Sequence, residues 1–348
     1  MNEYQTTMSD RNYDFFEDYY KRSAEKEKLE LSLCFIAEKL NEKSMSAIVG
    51  AGFSLNSNPS FPDWANLLVD AYKEMHPKKI KKKFFESEKK YNYRIANEIR
   101  QIGEPVVAAE YEKYKGKRES LDIYIENHIL QSQNLSQDLR VHESFLQLNW
   151  CDVITTNWDN LLENADKKAK YKVVCSAKEL KLSNKNRIVK IHGSLRKTKV
   201  REEQKYVFDD CSDHLYLITE KDYENYPINH EGFSNFMKVK ILENSFCLFG
   251  FSGNDWNFRY WVKELKRIMT KGGHTSNLNP IFLFDVSKNS YTSDQKQFFK
   301  NNYIIPVKID DVFDFLGGSK SPIISPKTSD KFTYIFDWLL QKKMRMML

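Results

Sequence analysis

The sequence predicts an α/β fold with a Rossmann-like, mostly parallel sheet. Six short runs of β-branched or aromatic residues follow Trp150, and helical stretches such as NLLENADKKA and WNFRYWVKELKRIM lie between several of them. Strands that alternate with helices form parallel sheets covered on both faces. A further apolar run, at about Met45 to Val49, leads into the glycines of GAGFS, as a buried strand leads into a tight turn.

The bulk composition limits the class of protein. With 348 residues, 41% of them hydrophobic, the chain can bury the core of one large α/β domain or two ordinary ones. Its apolar runs are far shorter than the roughly 20 residues of a membrane span, and its acidic, tyrosine-rich start is unlike a secretory signal. Its five cysteines form no Cys-x-x-Cys pair. We therefore expect a cytoplasmic protein with no membrane contact and no metal site.

Helical periodicity predicts the elements around the first strand. Residues 13–42 carry apolar and aromatic positions at helical spacing, which indicates an N-terminal helical extension over residues 1–44. After the first strand, FPDWANLLVDAYKEM predicts one amphipathic helix over residues 61–75. Helical spacing without a recognisable strand continues to residue 148, so we expect a helical insert over about 66–148.

The remaining strands complete an α/β domain over residues 45–315. They are predicted from six runs: CDVITT (151–156), YKVVC (171–175), RIVKI (187–191), SFCLFG (245–250), IFLFDV (281–286) and YIIPVKI (303–309). Residues 316–348 form a Gly/Ser/Pro-rich linker and a terminal helix, FTYIFDWLLQKKMRMML, whose aromatic face we expect to dock on the core.

The densest basic stretch is HPKKIKKKFFESEKK, residues 76–90. A nucleic-acid patch is one interpretation of such a run. We favour a solvated helix face, because runs of charge usually only keep a surface wet. The net charge of +6 favours anionic partners without requiring them, and nucleic-acid binding stays open.

Four motifs place polar groups or glycines at the ends of predicted strands. In GAGFS, glycines let backbone N–H groups approach a phosphate, although a tight structural turn is the alternative. TTNWD brings Asn157 to a strand end, where it either meets a ligand or caps the next helix. KIHGSL does the same for His192, whose alternative is a structural histidine. FGFSGND supplies further N–H and hydroxyl donors.

In this order, the four motifs resemble those of the SIR2 family, in particular its bacterial NAD-cleaving branch found in anti-phage defence proteins. The resemblance covers roughly residues 45–286 and is most specific at TTNWD and KIHG. It implies a Rossmann-like core that binds NAD across the strand ends.

The resemblance also implies roles for individual residues. The essential asparagine and histidine of the family fall on Asn157 and His192, and Asp159 matches an acid of the same motif. The residues that it implies for NAD binding are Gly50, Ala51, Gly52, Phe53, Ser54, Thr156, Gly250, Ser252 and, more weakly for the adenosine ribose, Asp285.

One departure from the family bears on the reaction. Sirtuin deacetylases carry two Cys-x-x-Cys pairs that bind a structural zinc, and the cysteines here cannot form them. We therefore expect an NAD hydrolase that releases nicotinamide and ADP-ribose, acting as the toxic effector of an anti-phage, abortive-infection system. The alternatives are a non-catalytic NAD or ADP-ribose sensor, or a protein deacylase or ADP-ribosyltransferase.

Such an enzyme must stay silent until it is triggered, because unchecked NAD hydrolysis kills the host. We expect a homo-oligomer, and an activator such as a HerA-like ATPase, an Argonaute-like protein or a phage trigger.

Overall fold

Seven parallel strands form the central sheet. In this computed structural model the described residues are 14–57, 59–135, 138–182, 186–194, 197–198, 205–206, 216–251, 263–264, 267, 279–320 and 326–346. The sheet strands are β1 (Met45–Val49), β2 (Asp152–Thr155), β3 (Lys172–Val174), β4 (Arg187–Lys190), β7 (Ser245–Phe249), β8 (Ile281–Asp285) and β9 (Ile304–Lys308). The strands β5 (Lys197–Thr198) and β6 (Lys205–Tyr206) form a separate antiparallel pair. Each predicted strand is confirmed to within two residues at either end.

The strand order creates one crevice at the carboxyl edge of the sheet. The order is β3-β4-β2-β1-β7-β8-β9, and every neighbouring pair is parallel. Strands β2, β4 and β3 therefore lie on one side of β1, and β7, β8 and β9 lie on the other. In open α/β sheets, ligands bind where the strand order reverses in this way. The segments after Val49 and Phe249, which are register partners, flank that point.

Helices cover the sheet and fill the connection between β1 and β2. Those up to β2 are α1 (Phe15–Lys21), α2 (Glu25–Asn41), α3 (Ala51–Ser54), α4 (Trp64–Leu67), α5 (Val69–Met75), α6 (Glu88–Ile102), α7 (Glu104–Lys115), α8 (Arg118–Leu135) and α9 (Arg140–Gln147). Those after β2 are α10 (Leu161–Ala165), α11 (Glu220–Asn229), α12 (Glu231–Glu243), α13 (Ser293–Asn301), α14 (Ile309–Phe315) and α15 (Thr328–Met346), with short 3-10 turns at Ala177–Leu182 and Gly318–Lys320. None of the helices in the described ranges is long and apolar enough to cross a bilayer.

Two helical predictions need correction at their boundaries. The helix expected over 61–75 is divided at Leu68 into α4 and α5, and Asp63 caps α4 by accepting the Asn66 N–H at 2.9 Å. The terminal helix begins at Thr328, four residues before the predicted start. Its buried face packs into the main hydrophobic core, as expected, through Phe332, Ile335, Phe336 and Leu339.

The basic stretch at residues 76–90 is mostly exposed, as expected, but only residues 88–90 are helical, so the predicted helix face is wrong. Helix α5 ends at Met75, and Pro77 cannot donate the backbone hydrogen bond that a continuing helix needs. The chain then runs without helix until α6 begins at Glu88. Ile80 is buried and fixes this segment, since its carbonyl accepts the Tyr91 hydroxyl at 3.1 Å.

Candidate functional site

The loops after β1 and β7 lie directly against each other. The Gly52 N–H donates to the Gly250 carbonyl at 3.0 Å. A Cβ at Gly50 or Gly52 would lie 2.9 or 2.8 Å from that same oxygen, and a Cβ at Gly250 would lie 2.1 Å from the Phe53 nitrogen. Gly250 also has a φ of +70°, which a residue with a Cβ adopts only with strain. The three glycines therefore allow two backbones to meet.

The backbone of GAGFS forms hydrogen bonds within the protein. The Gly50 N–H donates to the Phe249 carbonyl at 2.8 Å, and the Phe53 N–H donates to the Gly50 carbonyl at 3.0 Å. With the Gly52 bond, three N–H groups of this loop are engaged. The Phe53 ring is buried in the core beside Phe145 and Phe249. The close approach of the two loops accounts for the glycines, and contact of GAGFS with NAD stays a prediction.

A hydrogen-bond network fixes the side chain of Asn157. Its Nδ2 donates to the Gly50 carbonyl at 3.1 Å and to Ser54 Oγ at 3.0 Å, which uses both amide hydrogens. Ser54 Oγ donates in turn to Asp159 Oδ2 at 2.9 Å, and Asp159 Oδ1 accepts the Leu161 N–H at 3.0 Å. The Asn157 Oδ1 is buried and has no hydrogen-bond partner among the described residues. The network thus holds one free amide oxygen in a fixed direction.

Asn157 is therefore more than a helix cap. The N-cap of α10 is Asn160, and the Asn157 N–H is held by Thr155 Oγ1 at 3.0 Å. The carboxylate of Asp159, by contrast, has both oxygens engaged by its own chain. Its geometry fits the bracing of the loop.

His192 lies 2% exposed at the end of β4. Its ring packs edge-on against Tyr223 and Tyr226, with centroid distances of 5.6 and 5.8 Å, and its Nε2 is buried without a partner in the described part of the chain. Burial, with a smaller effect of His230, lowers the pKa of His192 to about 3. This pKa lies below that of a solvated imidazole because a desolvated ring resists the charged form.

A buried lysine holds the loop that carries Asn157. The Lys190 side chain is completely buried, and its Nζ donates to the Trp158 carbonyl at 3.4 Å and to the Asp159 carbonyl. It also pairs with Glu163 Oε1 at 2.8 Å. One ammonium therefore ties β4, the loop after β2 and α10 together.

Asn157, Asp159 and His192 line one cavity of about 70 Å³ at the carboxyl edge of the sheet. Ala51 and Thr156 also border it, and the Thr156 N–H donates to the Val49 carbonyl at 3.1 Å. The rest of the wall is largely apolar and comes from Phe61, Pro62, Trp64, Leu67, Ile129, Trp158 and Tyr223.

The sequence pattern does not identify most of the apolar residues that line the cavity. Trp64 packs edge-on against Trp158 with centroids 5.7 Å apart, so it both anchors packing and borders the cavity. Trp158 stands inside the TTNWD motif, which is the one signal that could have identified it. Ile129 and Tyr223 lie on α8 and α11, and no local pattern marks them.

Asp285 does not line this cavity. Asp285 ends β8, and its carboxylate accepts from the Ser287 N–H at 2.8 Å, Ser287 Oγ at 2.6 Å and the Tyr291 hydroxyl at 2.5 Å. It is therefore engaged by its own loop. Ser252 falls outside the described residues.

No cluster of three or more histidine, cysteine or acidic side chains suited to a metal ion occurs within the described ranges. Cys34, Cys151, Cys175 and Cys247 form no disulfide bond in the described part of the chain.

A family model matches part of this chain. Residues 152–307 match the model described as "SIR2-like domain". The chain is therefore similar to SIR2-like domains over that range. Over 238 residues, which are 67% of this chain, it is 28% identical to Defense-associated sirtuin 2 of Bacillus subtilis. The chain spans only 20% of that protein's length.

Two solved structures are also similar. One comes from work on the mechanism and regulation of Sir2 enzymes (TM-score 0.44, 12% identity, 89% of this chain and 98% of that one). The other is a complex of a Sir2 homologue with NAD (TM-score 0.42, 12% identity, 89% and 94%). The α/β assignment stands on the sheet itself.

The range that matches the family model includes Asn157, His192 and Gly250 but begins after GAGFS. Strand β1 nevertheless lies inside the same sheet, between β2 and β7. Residues 45–54 are therefore an integral part of the layer that carries the cavity.

Proposed function

We propose that this chain is an NAD hydrolase that cleaves the bond between nicotinamide and the ribose C1′. One observation carries the proposal. Two buried polar atoms without a partner among the described residues, Asn157 Oδ1 and His192 Nε2, belong to residues that line a single cavity at the carboxyl ends of β1, β2 and β4. Buried polar groups are normally satisfied, so unsatisfied ones in a cleft indicate a ligand.

The reaction requires little covalent chemistry from the protein itself. Nicotinamide leaves with the electron pair of the C1′–N bond, which neutralises its pyridinium nitrogen, and water adds to the oxocarbenium-like C1′. The products are nicotinamide, ADP-ribose and one proton. The enzyme must orient the ribose, stabilise the positive charge at C1′ and admit water to the vacated face.

The site residues divide these tasks. Asn157 Oδ1, held by its two donated hydrogen bonds, orients a ribose hydroxyl or the attacking water and presents a partial negative charge. His192 is neutral at physiological pH because burial lowers its pKa to about 3, and its ring contacts a ribose hydroxyl or the water. Asp159 braces Ser54 and the start of α10.

The name of the relative supports a biological role. The relative's name associates it with defence. We propose the same role for this chain, as the toxic effector of an anti-phage system that stops infection by depleting NAD. A homo-oligomer and an activating partner, such as a HerA-like ATPase, an Argonaute-like protein or a phage trigger, belong to this proposal. A cytoplasmic location does too, because NAD is found there.

Chromatography of NAD incubated with the purified chain, alone and with candidate activators, tests the proposal. We expect nicotinamide and ADP-ribose in equal amounts from the wild type, without any acylated peptide. Asn157→Ala and His192→Ala should lower turnover by about 10²-fold or more. His142→Leu is the matched control, because His142 is also completely buried but packs in the core against Phe53.

The outcomes separate the alternatives. Turnover that requires an acylated peptide would identify a deacylase. Binding of NAD without turnover under every condition would identify a sensor. Undiminished turnover in Asn157→Ala would contradict the site assignment.

A further inference from the structure

A pair of phenylalanines lies in solvent on the insert, far outside the cavity residues. Phe84 and Phe85 are 89% and 97% exposed, and their rings contact each other with centroids 4.5 Å apart. Tyr93, on the adjacent helix α6, is 63% exposed. Single exposed apolar residues are common on protein surfaces, but a contiguous group of large rings usually marks an interaction site.

The turn that carries this pair is held in place. The Glu86 N–H donates to the Lys83 carbonyl, and the Lys83 N–H donates to Glu86 Oε2, both at 3.0 Å. Arg94 of α6 forms two bonds of 3.1 Å to the Glu86 carboxylate and a third to the Lys81 carbonyl. Phe85 has a φ of +68°, a conformation that is strained for a bulky residue. The protein thus uses a fixed turn to keep both rings in water.

The charge around the rings is positive once ion pairs are counted. Glu86 is paired with Arg94, Glu88 with Lys82 and Glu98 with Lys79. Lys81, Lys83 and Lys90 are exposed, and no ion pair engages them within the described part of the chain. We call Lys81, Lys83, Phe84, Phe85, Lys90 and Tyr93 the basic aromatic patch.

The patch borders a groove of about 770 Å³ between the turn and α6. Its lining combines aromatic rings and lysines with the amides of Asn97 and Gln101. Ring faces stack on bases, ammonium groups attract phosphates, and amides bond to base edges. A second copy of the chain would bring like charges together, and a bilayer offers no partner for the amides.

We propose that the basic aromatic patch binds single-stranded nucleic acid. The chemistry is shared by DNA and RNA: unpaired bases that stack on Phe84, Phe85 and Tyr93, and phosphates that contact Lys81, Lys83 and Lys90. Duplexes bind less well, because their bases are already stacked on each other. The site is independent of the proposed NAD hydrolysis.

Fluorescence anisotropy with the full chain tests the proposal. The probes are labelled oligo-dT and oligo-U of about 15 nucleotides, with a duplex of equal length. Phe84→Ala/Phe85→Ala should weaken single-strand binding by about tenfold to a hundredfold. Lys81→Ala/Lys83→Ala/Lys90→Ala should make the slope of log K against log salt shallower by about 2. Lys113→Ala/Tyr114→Ala, an exposed pair on α7, should change neither.

The affinities for oligo-dT and oligo-U show whether the patch prefers DNA or RNA. Tight binding of either oligonucleotide supports the proposal. Equal affinity of the wild type and the double phenylalanine variant would overturn it. So would failure of both oligonucleotides to bind at low salt. In that case, binding to vesicles that contain phosphatidylserine, or concentration-dependent dimerisation lost in the phenylalanine variant, would assign the patch to a bilayer or to a second copy.

Discussion

Ser54 is the connection on which the geometry of Asn157 depends. Its hydroxyl is buried at 1% exposure, accepts from Asn157 Nδ2 at 3.0 Å and donates to Asp159 Oδ2 at 2.9 Å. Ser54→Ala removes both bonds and leaves a buried carboxylate oxygen without this donor. A neutral bond contributes about 0.5–1.5 kcal/mol and one to a charged group about 1.5–3 kcal/mol. We therefore expect a loss of about 2–4 kcal/mol in the free energy of unfolding.

The loss can be measured by thermal denaturation. For 348 residues the entropy of unfolding is about 0.7 kcal/mol/K, so Ser54→Ala should lower Tm by about 3–5 °C. Ser234→Ala is the matched control. Ser234 is equally buried, and its Oγ has no partner among the described residues, so its removal should shift Tm by less than about 1 °C.

Activity gives a second readout of the same change. Without Ser54, one Asn157 donor has no acceptor, and Oδ1 is no longer held in one direction. Misplacement of a positioning group by about 1 Å costs about 10²-fold, so NAD turnover should fall by about 10- to 100-fold. Equal Tm values for Ser54→Ala and Ser234→Ala, with turnover unchanged, would refute the reasoning.

Three further predictions concern the surroundings of the site. Burial lowers the pKa of His142 from 6.5 to about 4. The contribution of this neutral ring to the free energy of unfolding is therefore fully present above about pH 6.5 and is lost as the pH falls toward 4. At about pH 5 the free energy of unfolding should be about 2 kcal/mol lower than at neutral pH. Urea unfolding of His142→Leu should show a smaller decrease, and equal decreases in the wild type and the variant would contradict this prediction. Gly250→Ala should prevent folding or lower Tm strongly, because its Cβ would lie 2.1 Å from the Phe53 nitrogen. Gly116→Ala is the control, since Gly116 has a similar φ of +76° but no atom within 4 Å of the added Cβ. Similar Tm values for the two variants would exclude steric contact as the cause. Lys190→Met should lower the free energy of unfolding by about 3 kcal/mol, because Glu163, whose side chain is 16% exposed, loses its partner. In a double-mutant cycle, adding Glu163→Leu should recover part of this loss, and strictly additive effects would contradict the pair.

The sheet could be predicted from the sequence because buried parallel strands leave a local signal. Each strand is a short apolar run that ends in glycine or a polar residue, as in SAIVG and VKIHG. The same signal located Asn157 and His192, since the carboxyl ends of parallel strands share one edge of the sheet.

The rest depends on contacts between distant parts of the chain. Trp64, Ile129 and Tyr223 reach the cavity from the helices between and beyond the strands, and their local patterns resemble any packed helix. The bonds from the Gly50 and Gly52 N–H groups to Phe249 and Gly250 exist only because β7 lies beside β1. Burial of the His192 ring, which moves its pKa, is likewise invisible in KIHG.

The most direct test of the central claim is the rate of nicotinamide release from NAD by the full chain, measured by chromatography in the presence of each candidate activator, for the wild type, His192→Ala and His142→Leu. The account predicts release by the wild type and His142→Leu at similar rates, and a loss of about 10²-fold in His192→Ala. Release by His192→Ala at the wild-type rate, or intact NAD in every sample while NAD still binds, would contradict it.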